Sequence, residues 1–198
     1  MQDIKTIEIE ENGMRFYQVG KKFLPSVTTI LDNTLPPSDH LRNFWMQNGY
    51  IGQTVFKRAG EEGTQIHKDI AILEAGEGIV SCFRNSKEKK CLNGFINWHH
   101  AVKPELKRSE NAVFSKKHKY AGRFDRVYQI GEDSFLIDLK SGSKKDADHY
   151  QVAAYWNCIK QDYPNLKTAL LYLGTSSKQG YTWTETEPEE DFRVFLTL

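Results

Sequence analysis

The stretch that constrains this chain most is Ile137-Asp138-Leu139-Lys140-Ser141-Gly142-Ser143. Phe135, Ile137 and Leu139 alternate with Leu136, Asp138 and Lys140, and a strand sends alternate side chains to opposite faces. Asp138 and Lys140 therefore stand side by side, with a large apolar residue between them pointing the other way. An acid and a lysine held like this can grip a divalent metal and activate a water beside it. They can equally form an ordinary ion pair on a strand surface. What decides is whether the rest of the chain supplies the missing ligands.

Three strand-like runs surround the pair, at residues 110–115, 120–130 and 134–140. Lys116-Lys117-His118-Lys119 turns between the first two and Gly131-Glu132-Asp133 between the last two, which predicts an antiparallel three-strand meander. Upstream, residues 4–10 and 14–19 read as strands joined at Glu11-Asn12-Gly13, a strong hairpin signal. Ser26 is placed to cap a short helix, and Ser38 to cap another over about 39–48. Leu41, Phe44, Trp45 and Tyr50 are expected on the apolar side of that second helix. Residues 52–76 look mostly helical but are interrupted by Gly60 and Gly63, so the important helix is expected to start near Gly63. Ile66, Ile70 and Leu73 form its buried stripe, His67 sits beside that stripe, and Gly76-Glu77-Gly78 ends it. Another helix spans about 86–103 and stops at Pro104. After the Asp138 strand come a helix over about 148–160, a buried strand at 166–173, a strand at 181–186 and a last helix opened by Glu189-Glu190-Asp191. Nothing divides the 198 residues, so one α/β domain is expected: a central mixed sheet flanked by helices, with an N-terminal hairpin and helices in 1–62 and the core in about 63–198.

The composition excludes several classes. The three cysteines, Cys82, Cys91 and Cys158, form no C-x-x-C pair, which argues against a disulfide framework or a four-thiolate metal site. No run is long and apolar enough to span a membrane. Acids at Asp3, Glu8, Glu10 and Glu11 do not fit a signal peptide, so a cytoplasmic, intracellular location is the expectation. The net charge is only +1, but ten Lys/Arg against three Asp/Glu lie between Arg84 and Lys119. That excess suits contact with a polyanion; a solvated helix face plus a lysine-rich turn explains it equally well.

The candidate ligands come from four places. Asp125, in Ala121-Gly122-Arg123-Phe124-Asp125, precedes Asp138 by thirteen residues. In the predicted hairpin the two aspartates fall on neighbouring strands and can converge on one cation, with Gly122 allowing close approach. Hard cations such as Mg²⁺ need only one or two carboxylates plus substrate phosphate. Glu110, at the start of its strand, reaches toward the same region. His67 on its helix is either a packed core histidine or a ligand. Gln151 and Tyr155 are four apart and share one helix face, where they can meet a phosphate backbone or orient Lys140.

In order, Gly63-Thr64-Gln65-Ile66-His67, Glu110, Gly122-Arg123-Phe124-Asp125, Asp138-Leu139-Lys140-Ser141-Gly142 and Gln151-Val152-Ala153-Ala154-Tyr155 resemble the PD-(D/E)xK nuclease superfamily, and within it the RecB-type exonuclease branch. The likeness covers about 63–155 and extends more weakly to Pro25-Ser26-Val27-Thr28. The first acid stands in Gly-Arg-Phe-Asp rather than a literal Pro-Asp, and the four-cysteine iron–sulfur cluster of some relatives is missing. The resemblance implies a restriction-endonuclease-like core. His67, Glu110, Asp125, Asp138 and the Leu139 carbonyl would lie around Mg²⁺ or Mn²⁺. Lys140 would position or deprotonate the attacking water, and Gln151 and Tyr155 would hold helix and substrate in register. It further implies a metal-dependent deoxyribonuclease, an exonuclease acting on single-stranded DNA or duplex ends in recombination, repair or replication and leaving 5′-phosphates. The alternative is a DNA-binding recombination accessory protein with little or no turnover. Trp45 and Tyr50 are candidates for stacking unpaired bases, or for helix and core packing. With no phosphate-loop motif in the chain, a motor would come from a partner such as a helicase, and a single-strand annealing protein is another candidate partner.

Overall fold

The computed structural model describes residues 4–8, 14–76 and 85–198. The predicted turn at Glu11-Asn12-Gly13, the helix stop at Glu77-Gly78, Cys82 and Arg84 lie outside them. Five strands form the main sheet in the order β4 (Glu105–Ser115), β5 (Tyr120–Ile130), β6 (Asp133–Lys140), β7 (Lys167–Leu173) and β8 (Tyr181–Glu185). β4, β5 and β6 pair antiparallel in succession, β6 and β7 pair parallel, and β8 returns antiparallel. The parallel pair is bridged by α4 (Asp146–Ile159), the crossover such a pair requires.

Helices cover both faces because both faces are apolar. Leu136 of β6 packs with Val152, Tyr155 and Trp156 of α4 and with Phe192 and Phe195 of α5 (Pro188–Phe195). Phe135, Ile137 and Leu139 of the same strand pack with Ile66 and Ile70 of α2 (Asp39–Glu74) and with Leu92, Phe95 and Trp98 of α3 (Ser86–Val102). Each such side chain contributes about 1.5–3 kcal/mol on burial. A smaller antiparallel sheet, β1 (Ile4–Glu8), β2 (Arg15–Val19) and β3 (Lys22–Pro25), rests Tyr17 and Leu24 on Ala121 of β5. Ser26 caps α1 (Val27–Thr34) as expected, accepting the Thr29 N–H at 2.9 Å. β3 was not predicted: four residues ending in proline carry too little alternation to read.

The long helix corrects the sequence reading. Ser38 does cap it, but Gly60 and Gly63 do not interrupt it, since a helical glycine costs only about 1 kcal/mol. The break is at Gly49, whose φ of 47° and ψ of −127° lie outside the helical region. There the chain folds back, so the rings of Trp45 and Phe56 meet edge-on at 6.1 Å; in a straight helix eleven residues would separate them by about 16 Å. Tyr50, expected on the apolar side, is 82 % exposed, and Trp45 sits at the surface against Phe56. No helix among the described residues is long and apolar enough to cross a membrane.

Candidate metal centre

The ladder between β5 and β6 ends at the pair Arg126–Ile137, while β6 continues beside β7 to Lys140. Where β5 and β6 part, Asp125 turns its carboxylate to β6, and Oδ2 accepts the Leu139 N–H at 2.7 Å. The alternation along β5 slips here: Phe124 and Val127, three residues apart, both pack in the α4 layer. The slip leaves Arg126 on the α2 side. β4 is irregular at the same level. Its register runs Ser109–Arg126 and Asn111–Phe124 on either side of Glu110, and Glu110 has a left-handed φ of 53°. That conformation costs a non-glycine residue on the order of 1–3 kcal/mol and persists only where its surroundings hold it. Glu110 is thus in mid-strand rather than at the strand start, because the exposed run 105–109 belongs to β4 but shows no apolar period.

These distortions bring one candidate ligand from each of three elements together. His67 Nδ1, from α2, lies 3.5 Å from Asp125 Oδ1 and 3.7 Å from Glu110 Oε1. Ligand atoms of His67, Glu110 and Asp125 all fall within 4.8 Å of one another. Leu139 presents its carbonyl to His67 Nε2 at 3.2 Å. His67 and Glu110 remain partly exposed, so the group is open to solvent. Burial opposes protonation of His67, but Asp125, Glu110 and Asp138 outweigh it and push its pKa up to about 9. Burial of Glu110 is likewise outweighed, by His67 and Arg126, and its carboxyl is held below the usual range.

Asp138 and Lys140 face α4, as their alternation requires. Asp138 is 3 % exposed and falls outside the compact three-residue group, so the expected direct convergence of Asp125 and Asp138 is only partial. Its Oδ2 lies 2.7 Å from Lys140 Nζ but receives no hydrogen bond of good direction; the attraction is ionic. Burial raises the Asp138 pKa, Lys140 counters that, and the nearby Asp125 and Asp148 add to it. Lys140 Nζ also approaches Asp148 Oδ1 at 3.3 Å and donates to Gln151 Oε1 at 2.8 Å. Burial disfavours its charge, yet Asp138 and Asp148 prevail and raise its pKa.

Gln151 in turn donates to the Tyr155 hydroxyl at 3.3 Å. Of the two roles expected for this pair, the geometry is that of orienting Lys140. Tyr155 is buried, and its ring covers Gly122, where a Cβ would come within 2.4 Å of Cε1. The close approach that Gly122 permits is therefore made by a side chain of this protein.

Sequence reading missed Asp148, Arg126, Glu74 and Tyr128. Asp148 was legible as the i−3 neighbour of Gln151 on one helix face. Arg126 was legible as a charge set among Phe124, Val127 and Tyr128. The basic stretch is dispersed over α3, β4 and the β4–β5 turn. Lys87, Lys107 and Arg108 pair with Glu62, Glu105 and Asp162, while Lys116, Lys117 and Lys119 in the turn are exposed.

One nitrogen and two carboxylates, with a carbonyl at hand, form a donor set suited to a hard divalent cation. Because His67 holds a proton up to about pH 9, a cation must displace that proton. Apparent Mn²⁺ affinity, measured by calorimetry, is expected to rise with pH by about tenfold per unit and to level off near pH 9. A flat profile would mean that His67 is not a ligand. No protein-family model matches the chain, and no curated protein matches it.

Proposed function

We propose that this chain is a metal-dependent DNA exonuclease with a restriction-endonuclease-like core of the PD-(D/E)xK kind, hydrolysing phosphodiester bonds at ends or on single strands. The observation that carries the reading is the joining of His67, Glu110 and Asp125 within 4.8 Å, next to an Asp138–Lys140 pair at the end of the same strand layer. His67, Glu110, Asp125 and the Leu139 carbonyl would hold Mg²⁺ or Mn²⁺, with Asp138 behind them. The ion would supply Lewis acidity and neutralise charge on the scissile phosphate.

Lys140 supplies the protein's own cation. With its pKa raised it stays an ammonium at neutral pH, so it orients water and balances phosphate charge rather than accepting a proton. Asp138, Asp148 and Gln151 fix Nζ in place before substrate arrives, the preorganisation that makes electrostatic stabilisation effective. The exposed lysines of the β4–β5 turn are available to the DNA backbone.

The test is incubation with end-labelled linear DNA, single- and double-stranded, and with closed-circular DNA, in Mg²⁺, in Mn²⁺ and in chelator. Metal-dependent shortening of linear DNA with the circle left intact is expected. Degradation in chelator would refute the proposal, and nicking of the circle would point to an endonuclease. The accessory-protein reading draws on one feature, the commitment of Asp138 to Lys140 rather than to the compact ligand group. Metal binding with no cleavage of any DNA would favour it.

A further inference from the structure

We propose that Arg126 is a positioning residue that assembles the cation site from behind, with Glu74 and Tyr128 holding it in place. The inference rests on the metal-site reading above but assigns a role to residues that reading does not use. The Arg126 side chain is fully buried, and a buried guanidinium is costly unless its donors are used. Nε donates to Glu74 Oε2 at 2.8 Å. Nη1 donates to Glu110 Oε1 and to the Asp125 carbonyl, both at 2.9 Å, and Nη2 donates to the His67 carbonyl at 3.4 Å. One rigid fork therefore touches all three ligand residues, on α2, β4 and β5. The Tyr128 hydroxyl donates to the other oxygen of Glu74, which fixes the far end of the clamp.

Two further observations point the same way. Glu110 keeps its left-handed backbone inside a strand, and its carboxylate ends on Arg126, so the arginine restrains the residue that would otherwise relax. Glu110, Asp125 and Asp138 also crowd negative charge into one region before any cation arrives; Lys140 offsets Asp138, and Arg126 and His67 are the positive groups beside Glu110 and Asp125. Lysine has no fork and cannot span the same acceptors.

The experiment is Mn²⁺ titration calorimetry on the full chain as wild type, Arg126→Lys and Glu74→Gln, with circular dichroism to confirm folding. Phe195→Leu, in the opposite layer, serves as a control for stability loss alone. The expected result is a Kd for Mn²⁺ weakened on the order of ten- to a hundredfold in both folded clamp variants, with the control unchanged even if it melts earlier. Wild-type affinity in either folded clamp variant would overturn the role of Arg126. If Arg126→Lys does not fold, Glu74→Gln, which leaves the guanidinium in place, decides. Absence of Mn²⁺ binding in the wild type would remove the metal-site reading itself, and the clamp with it.

Discussion

Lys140→Ala is expected to lower DNA hydrolysis about a thousandfold or more, the effect of losing a preorganised transition-state donor, while Mn²⁺ binding and fold persist. In the proposed function the ammonium serves the reaction and not the ligand group. It meets Asp138 at 2.7 Å, Asp148 at 3.3 Å and Gln151 at 2.8 Å, partners that fix its position and sustain its charge. The loss should fall on kcat. Lys140→Arg should not restore activity, because a planar fork cannot occupy the place of a compact ammonium among those three acceptors. Steady-state assays on linear DNA, with calorimetry for Mn²⁺, separate the two functions. Activity within a few-fold of wild type in Lys140→Ala would remove Lys140 from the mechanism.

The largest expected loss of stability comes from Trp98→Ala. Trp98 is buried on the α3 side, stacked on Trp183 at 6.0 Å and edge-on to Tyr128 at 5.4 Å. Emptying that volume should cost about 3–5 kcal/mol and lower the melting temperature by roughly 10 °C for a domain of this size. The cavity would open against Tyr128, which binds Glu74 and so reaches the Arg126 clamp. Weaker Mn²⁺ binding should therefore accompany the stability loss. Calorimetric melting checks the first effect and Mn²⁺ titration the second. A melting temperature close to wild type would mean that this layer repacks and is not the rigid support described here.

The strands around Asp138 were legible because their alternation is strong and both faces are apolar. Phe135, Ile137 and Leu139 went to one layer and Leu136 to the other, as period two dictates. The helical stripe Ile66–Ile70 was legible for the same kind of reason. What resisted reading was local. Gly49, not Gly60 or Gly63, breaks the long helix, because a glycine ends a helix only where the backbone actually leaves helical angles. The slip of β5 at Asp125 and the left-handed Glu110 are tertiary effects with no periodic signal. Without that slip Arg126 would face the α4 layer, so its contacts to all three ligand residues were invisible in the sequence. His67, Glu110 and Asp125 were each singled out from residue type and order, but their meeting depends on those two irregularities.

The most direct measurement is anomalous diffraction from crystals of the full chain grown with Mn²⁺. A peak within coordination distance of His67, Glu110 and Asp125, where β5 and β6 part, is the predicted result. Mn²⁺ bound elsewhere, with these three side chains unliganded, would contradict it.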